Sequence, residues 1–220
     1  LDPSARDYAA RTERAIKLYS MANLLNHNNA MVQNHLANHY FWKWTPVTGT
    51  VDTTAGSKTV KATNVSLEIG DPVKLGQLET MVTDISDDDG SFTVQHALNV
   101  SEAGLKLWKK DYDRVIALAK GAYGSTTNKA MQAESLFLLA RVYHVRNSPD
   151  QAYKLYDRAS ALAPDLAPAR FGLAQILVQR NDYSAAKKHL KEVLNASSNA
   201  TDALALLGLL KVRSSKEFAE

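Results

Sequence analysis

AESLFLLARVYHVRNSPDQAYKLYDRASALAPDL, residues 133–166, decides the fold. Counted from Ala133, Leu136 is fourth, Leu139-Ala140 seventh and eighth, and Tyr143 eleventh; Ala152 is twentieth, Tyr156 twenty-fourth, Ala159 twenty-seventh and Pro164 thirty-second. Steps of three, four and seven put such residues on one face of a helix. Two antiparallel helices packed closely need small side chains where their backbones approach and large ones between. Pro164 ends the second helix, because it lacks the N–H the ladder needs and pushes its predecessor out of helical geometry.

Outward from that unit the pattern recurs. From Ala167, the pair Leu173-Ala174 and then Leu177, Ala186, Leu190 and Val193 fall at the same places, with Ser198 where Pro164 stood. A further first helix opens at Thr201 with Leu204 and Leu207-Gly208. Upstream, Ala15, Tyr19 and Ala22 fit a second helix, and Ala30 opens a unit carrying Leu36-Ala37 and Tyr40. A period of about 34 residues with these landmarks resembles the tetratricopeptide repeat (TPR), so a helical-hairpin solenoid is expected. The chain begins at LDPSA and stops within a hairpin, and it is expected to be a piece of a longer array.

The unit opened by Ala30 lacks its second helix in sequence. After HYFW the chain turns to VTGTVD, SKTVKA, DPVKLG, ETMVTDIS and SFTVQH, five strand-like runs punctuated by Gly56, Gly70-Asp71-Pro72, Gly76 and Asp87 to Gly90. The missing helix resumes at KKDYDRV, where Tyr112 matches Tyr183, Val115 matches Ala186, and Ala119 and Ala122 follow. Skipping 44–108 restores the period. The expected fold is therefore mainly α: a discontinuous TPR solenoid over 1–43 and 109–220, with a small all-β barrel or roll over 44–108 inserted in one inter-helix turn. Such turn tips tolerate insertions because no core contact is broken.

Composition excludes several classes. The chain has no cysteine, which removes disulfides, Cys-ligated zinc and thiol chemistry. No run approaches the ~18 apolar residues of a membrane span, and the amino terminus has no basic-then-apolar pattern. The Asn-x-Ser/Thr triplets at Asn64, Asn195 and Asn199 carry no weight without a secretory signal. Between 45 and 104, three lysines face nine acidic residues, a net charge of −6, whereas the whole chain is +3. That acidity repels phosphates and argues against direct nucleic-acid binding by the β segment. Asp87-Asp88-Asp89-Gly90 lacks the spaced ligands of a calcium loop and reads as a solvated turn. His35 and His39 stand one helical turn apart, yet Leu36-Ala37 occupies the place where a zinc protease needs Glu, so no metal is expected. Phosphate loops and nucleophile elbows are absent; neither an enzyme nor a cofactor is expected.

The expected activity is binding. First helices of stacked hairpins line the concave face of such a solenoid, where segments of other proteins lie. By register, Asn34, Asn38 and Phe41 face that groove in one unit, Phe137, Arg141 and His144 in the next, and Phe171, Gln175 and Val178 in the third; for Phe137 and Phe171, inter-repeat packing is an equal reading. The basic clamp of TPRs that hold chaperone tails is missing, its places being filled by Asn34, Asn38, Leu138, Pro168 and Gly172.

NNAMVQNHLANHYF, AMQAESLFLLARVYHV and SPDQAYKLYDRA, over about 30–43 and 109–175, resemble the TPR-rich scaffold subunit of the Paf complex. Asn34, His35, Asn38 and His39 are among the residues of this likeness that repeat geometry does not require. The resemblance implies a nuclear, non-enzymatic scaffold associated with RNA polymerase II during elongation, which holds other Paf subunits, the namesake subunit above all. The β segment is a departure from that pattern. Two other readings stay open: a generic peptide-binding TPR adaptor, and a TPR protein that associates with nucleic acid through its basic helical body.

Overall fold

The computed structural model describes residues 3–86, 88–99 and 101–216. Its helices are α1 (Pro3–Leu25), α2 (Ala30–Trp42), α3 (Tyr112–Gly124), α4 (Lys129–Val145), α5 (Pro149–Leu162), α6 (Ala167–Gln179), α7 (Tyr183–Ala196) and α8 (Thr201–Lys216). Between α2 and α3 run β1 (Trp44–Pro46), β2 (Thr50–Thr53), β3 (Thr59–Thr63), β4 (Pro72–Leu75), β5 (Leu78–Ile85), β6 (Phe92–Val94), β7 (Glu102–Leu105) and β8 (Leu107–Lys110).

Four of the helices begin at a residue whose side chain caps them. Asn29, Asp111, Asn128 and Asp182 each accept a hydrogen bond from a backbone N–H of the first turn, which satisfies a donor the helix itself leaves free. Pro149 and Pro168 occupy the first turn of α5 and α6, where a missing N–H costs nothing. The small residues expected at close approaches are there: Ala140, Ala152, Ala159, Ala174 and Ala186 are completely buried. Successive helices pack as antiparallel neighbours, and the first helices α2, α4 and α6 also touch one another along the array. One apolar core joins α1 to α4 through Ile16, Leu36, Tyr40, Val115 and Val142, and a second runs from α4 to α8 through Leu136, Tyr156, Leu173 and Leu190.

The strands have a core of their own, with Val51, Val60, Val73, Val82, Phe92 and Leu107 at its centre. Alternation supplies it, since every second residue of β2, β4 and β6 points inward. All pairings are antiparallel, in the order β1-β8-β4-β5-β6-β3-β2-β7, and among the described residues the two outer strands do not pair with each other. The sheet is thus an open half-barrel of eight strands, where the sequence predicts a small barrel or roll of five. The additional strands are β1, β7 and β8. The run LWKK in β8 has neither β-branched residues nor alternation and reads as the approach to a helix, so strand pairing continues to Lys110, past the expected boundary at 108. Partners across the sheet, not local propensity, make it a strand.

The junction has a simple geometry. In the uninterrupted hairpins a single asparagine, Asn147 or Asn181, turns the chain with φ of 54° and 61°, the left-handed conformation asparagine tolerates. At the corresponding place α2 ends on Lys43 in extended geometry, and Trp44 and Lys110 face each other as a β1–β8 pair. Beyond this pair Asp111 caps α3, which packs on α2 as α5 packs on α4.

Candidate functional site

A cleft of about 1310 Å³ lies between the helices and the sheet. Its helical wall is Phe41 and Trp42 of α2, Tyr112 of α3, Phe137, Arg141 and His144 of α4, and Phe171 and Gln175 of α6. Its other wall comes from the sheet. Val82 of β5 is buried in the sheet core, while its neighbours Met81 and Thr83, with Glu79, turn to the cleft along with Gln95, Trp44 and Lys110. The strand's period of two thus gives β5 one face for its own core and one for the cleft.

Arg141 is the centre of the helical wall. Its guanidinium carbon lies 3.7 Å from the ring centre of Phe41, 4.8 Å from that of Trp42 and 5.3 Å from that of Phe137, geometry in which a cation is attracted to the ring faces. Its Nη1 donates to Asn38 Oδ1 at 3.0 Å. Burial lowers its pKa, offset in part by Tyr156 and Tyr112. Lys110 donates Nζ to the carbonyl of Trp42 and sits 4.1 Å from the ring centre of Trp44. Burial brings its pKa down to about 8, with Glu79 acting to raise it and Lys74 to lower it. The same burial pushes the Tyr112 phenol up to about 12 and raises Tyr156. Tyr156 lies beneath Phe137 and against the edge of His144, whose imidazole pKa is lowered by burial.

Of the nine groove residues read from register, Phe41, Phe137, Arg141, His144, Phe171 and Gln175 line the cleft, and three do not. Asn34 is buried between α2 and α4: its amide donates to the carbonyl of Met131 at 3.0 Å and its Oδ1 accepts from Ser135 at 2.8 Å. Asn38 is exposed beside the cleft and holds Arg141 there. Val178 packs half-buried against the α4–α8 core. Phe137 and Phe171 do both jobs, lining the cleft and packing on that core. The imidazoles of His35 and His39 lie against Tyr19 of α1, with ring centres 5.3 and 5.7 Å away, as part of the α1–α2 contact. Burial and then His35 lower the His39 pKa. In the acidic turn, Asp87 lies outside the described residues, and Asp89 accepts from the Ser91 N–H at 3.0 Å.

The sheet is fixed over the cleft by a charged contact the sequence did not disclose. Asp71, 1% exposed, meets Arg146 Nη2 at the end of α4 at 3.3 Å and Lys109 Nζ at 3.5 Å. Arg146 also reaches Glu68 at 3.3 Å and Asp113 at 3.2 Å. Burial works to lower the Arg146 pKa, and the three carboxylates outweigh it and raise it. Gly70 lets the strand backbone close on the same spot, since a β-carbon there would meet the Arg146 carbonyl at 3.3 Å in a backbone with φ of 88°.

The helical hairpins thus carry an aromatic cleft along their first helices. The tetratricopeptide repeat family model matches residues 146–210, which span α5, α6, α7 and most of α8. Among curated proteins the chain is similar to Tetratricopeptide repeat protein 1 of Schizosaccharomyces pombe, 26% identical over 108 residues, covering 49% of this chain and 10% of that protein. It is also similar to the RNA polymerase-associated protein CTR9 of Caenorhabditis elegans, 31% identical over 104 residues, covering 47% of this chain and 9% of that one. The chain thus matches only about a tenth of the length of these relatives. No described helix is long and apolar enough to cross a membrane.

Proposed function

We propose that this protein is a scaffold of a Paf-type transcription elongation complex, acting in the nucleus, whose cleft holds a segment of another subunit, the namesake subunit foremost. The observation that carries this reading is the 31% identity to a protein named as RNA polymerase-associated. The phrases NHLANH and AMQAES agree with it, because they hold residues the repeat does not demand. Six residues of the register-derived groove meeting in one cleft give that role a physical surface. Within the reading, residues 1–43 and 109–220 form one discontinuous TPR domain, and residues 44–108 are a β domain inserted at a hairpin turn. Affinity purification from nuclear extract with the tagged chain as bait, read by mass spectrometry, is expected to recover Paf subunits and polymerase. Recovery of a different set of proteins sharing one short motif would replace this reading with that of a general peptide adaptor.

A further inference from the structure

Two cations line the cleft, Arg141 and Lys110. Arg146, Arg170 and Arg180 each hold a carboxylate within 3.3 Å. Arg141 and Lys110 appear in none of the ion pairs found among the described residues. Both are drawn out of water, as their lowered pKa values reflect. Both also touch Trp42, Arg141 over its ring and Lys110 at its carbonyl. Trp42 itself is 57% exposed, a large apolar surface next to both cations. A partly desolvated cation whose hydrogen bonds go to neutral oxygens, with no carboxylate in direct contact, gains from an incoming one.

We propose that the cleft takes an extended acidic segment of a partner protein, its carboxylates on Arg141 and Lys110 and its apolar side chains on Trp42, with the inserted sheet as the second wall. This rests on the reading that the cleft is the partner site, and adds what the partner must look like. The occupant is a peptide and not a nucleic acid, because Glu79 and Asp202 also line the cleft and the segment from Trp44 to Lys110 that forms the sheet, with six lysines against nine carboxylates, carries a net −3. A continuous polyanion would meet those charges, whereas spaced carboxylates avoid them. Met81 and Thr83 on β5 offer the segment an apolar and a neutral polar surface on the sheet side.

Fluorescence anisotropy on the full chain provides the test. The probes are a labelled peptide alternating Glu, Leu and Ser, its counterpart with every Glu replaced by Gln, and a labelled single-stranded oligo-uridine. The Glu peptide is expected to bind roughly tenfold more tightly than the Gln peptide, the size of one or two charge-assisted contacts. Arg141→Met and Lys110→Met should each remove several-fold of that preference, read as the ratio of Glu-peptide to Gln-peptide affinity within the same variant. Lys188→Met, on the exposed face of α7, should change nothing. Equal binding of the two peptides, an undiminished preference in Lys110→Met, or tighter binding of the RNA would each overturn the proposal. Lys110→Met decides the matter if Arg141→Met loses its cooperative melt. The synthetic probes contain no elongation subunit, so acid preference can hold even if the purification recovers none. Conversely, subunits recovered equally by wild type and the double variant would overturn the acidic cleft and leave the scaffold reading standing.

Discussion

Gly172 lies under the ring of Tyr156, where an added β-carbon would stand 2.4 Å from Cζ and 2.5 Å from Cε1. Tyr156 is 2% exposed and cannot swing away without opening the α4–α8 core. Gly172→Ala is therefore expected to lower stability by about 1–3 kcal/mol through overpacking, even though alanine is the better helix former. Gly208 in α8 has nothing within 4 Å of the same position, so Gly208→Ala should raise stability by about 0.5–1 kcal/mol. Urea unfolding of the two variants checks both signs at once. Lys110 gives a second test at this scale. Its pKa falls from 10.5 to about 8 on folding, so below pH 8 both states hold the proton and the cost of the buried charge is fully present. Between pH 8 and 10.5 the unfolded chain keeps a proton the folded one has shed, and stability rises with pH. Glu79 and Lys74 on β4–β5 are the charges that act on it. Tyr112, raised to about 12, acts the opposite way only above pH 10. Stability measured from pH 8 to 10 should therefore climb in wild type and lose that slope in Lys110→Met.

At the scale of elements, the sheet is held to the helices by Arg146. Removing it leaves Asp71, 1% exposed, with Lys109 and the Glu68 N–H as its remaining partners. Glu68 and Asp113 are mostly exposed, and their pairs with Arg146 contribute little. Arg146→Ala is thus expected to cost about 3 kcal/mol, nearly all of it from the buried carboxylate. Hydrogen exchange should show the loss first in β4 and β5, next to Asp71, with α6 and α7 unchanged. This contact also explains what the sequence could not disclose. The helices were legible because close packing demands alanine at set offsets, as at Ala140, Ala152 and Ala159. The strands β2 to β6 were legible by their alternation and their glycine turns. β8 was not, because LWKK becomes a strand only through pairing with β1 and β4. The cleft was half legible: register gave the residues of α2, α4 and α6 but not the outward face of β5, whose direction depends on the Arg146–Asp71 docking. Asn34 was misplaced because an asparagine on a first helix suits a groove or a buried bond equally, and Ser135 decides between them.

For the whole molecule, the central question is whether the sheet is a removable part or a foundation. Trp44 and Lys110 flank the place that Asn147 and Asn181 fill alone, so the chain from Trp44 to Lys110 can be replaced by one asparagine, leaving Lys43-Asn-Asp111. Asp111 would still cap α3, and Leu36, Ala37, Tyr40, Val115 and Ala119 would still close the α2–α3 core, which shares no member with the sheet's. Asp71 and Lys109 leave together with the sheet, and Arg146 keeps Asp113, so no buried carboxylate is stranded. The shortened protein is expected to unfold cooperatively, with stronger helical circular dichroism per residue. A non-cooperative melt would mean the sheet is integral to the helical body and would reject the insertion reading. The same variant separates the two walls of the cleft. It retains Arg141, Phe41 and Phe137 but loses Lys110, Trp44 and Met81. Affinity for the Glu peptide should fall at least as far as in Lys110→Met, because one cation and the apolar face of β5 disappear together. A folded, shortened protein with undiminished affinity would place the binding on the helices alone and reduce the sheet to a passenger.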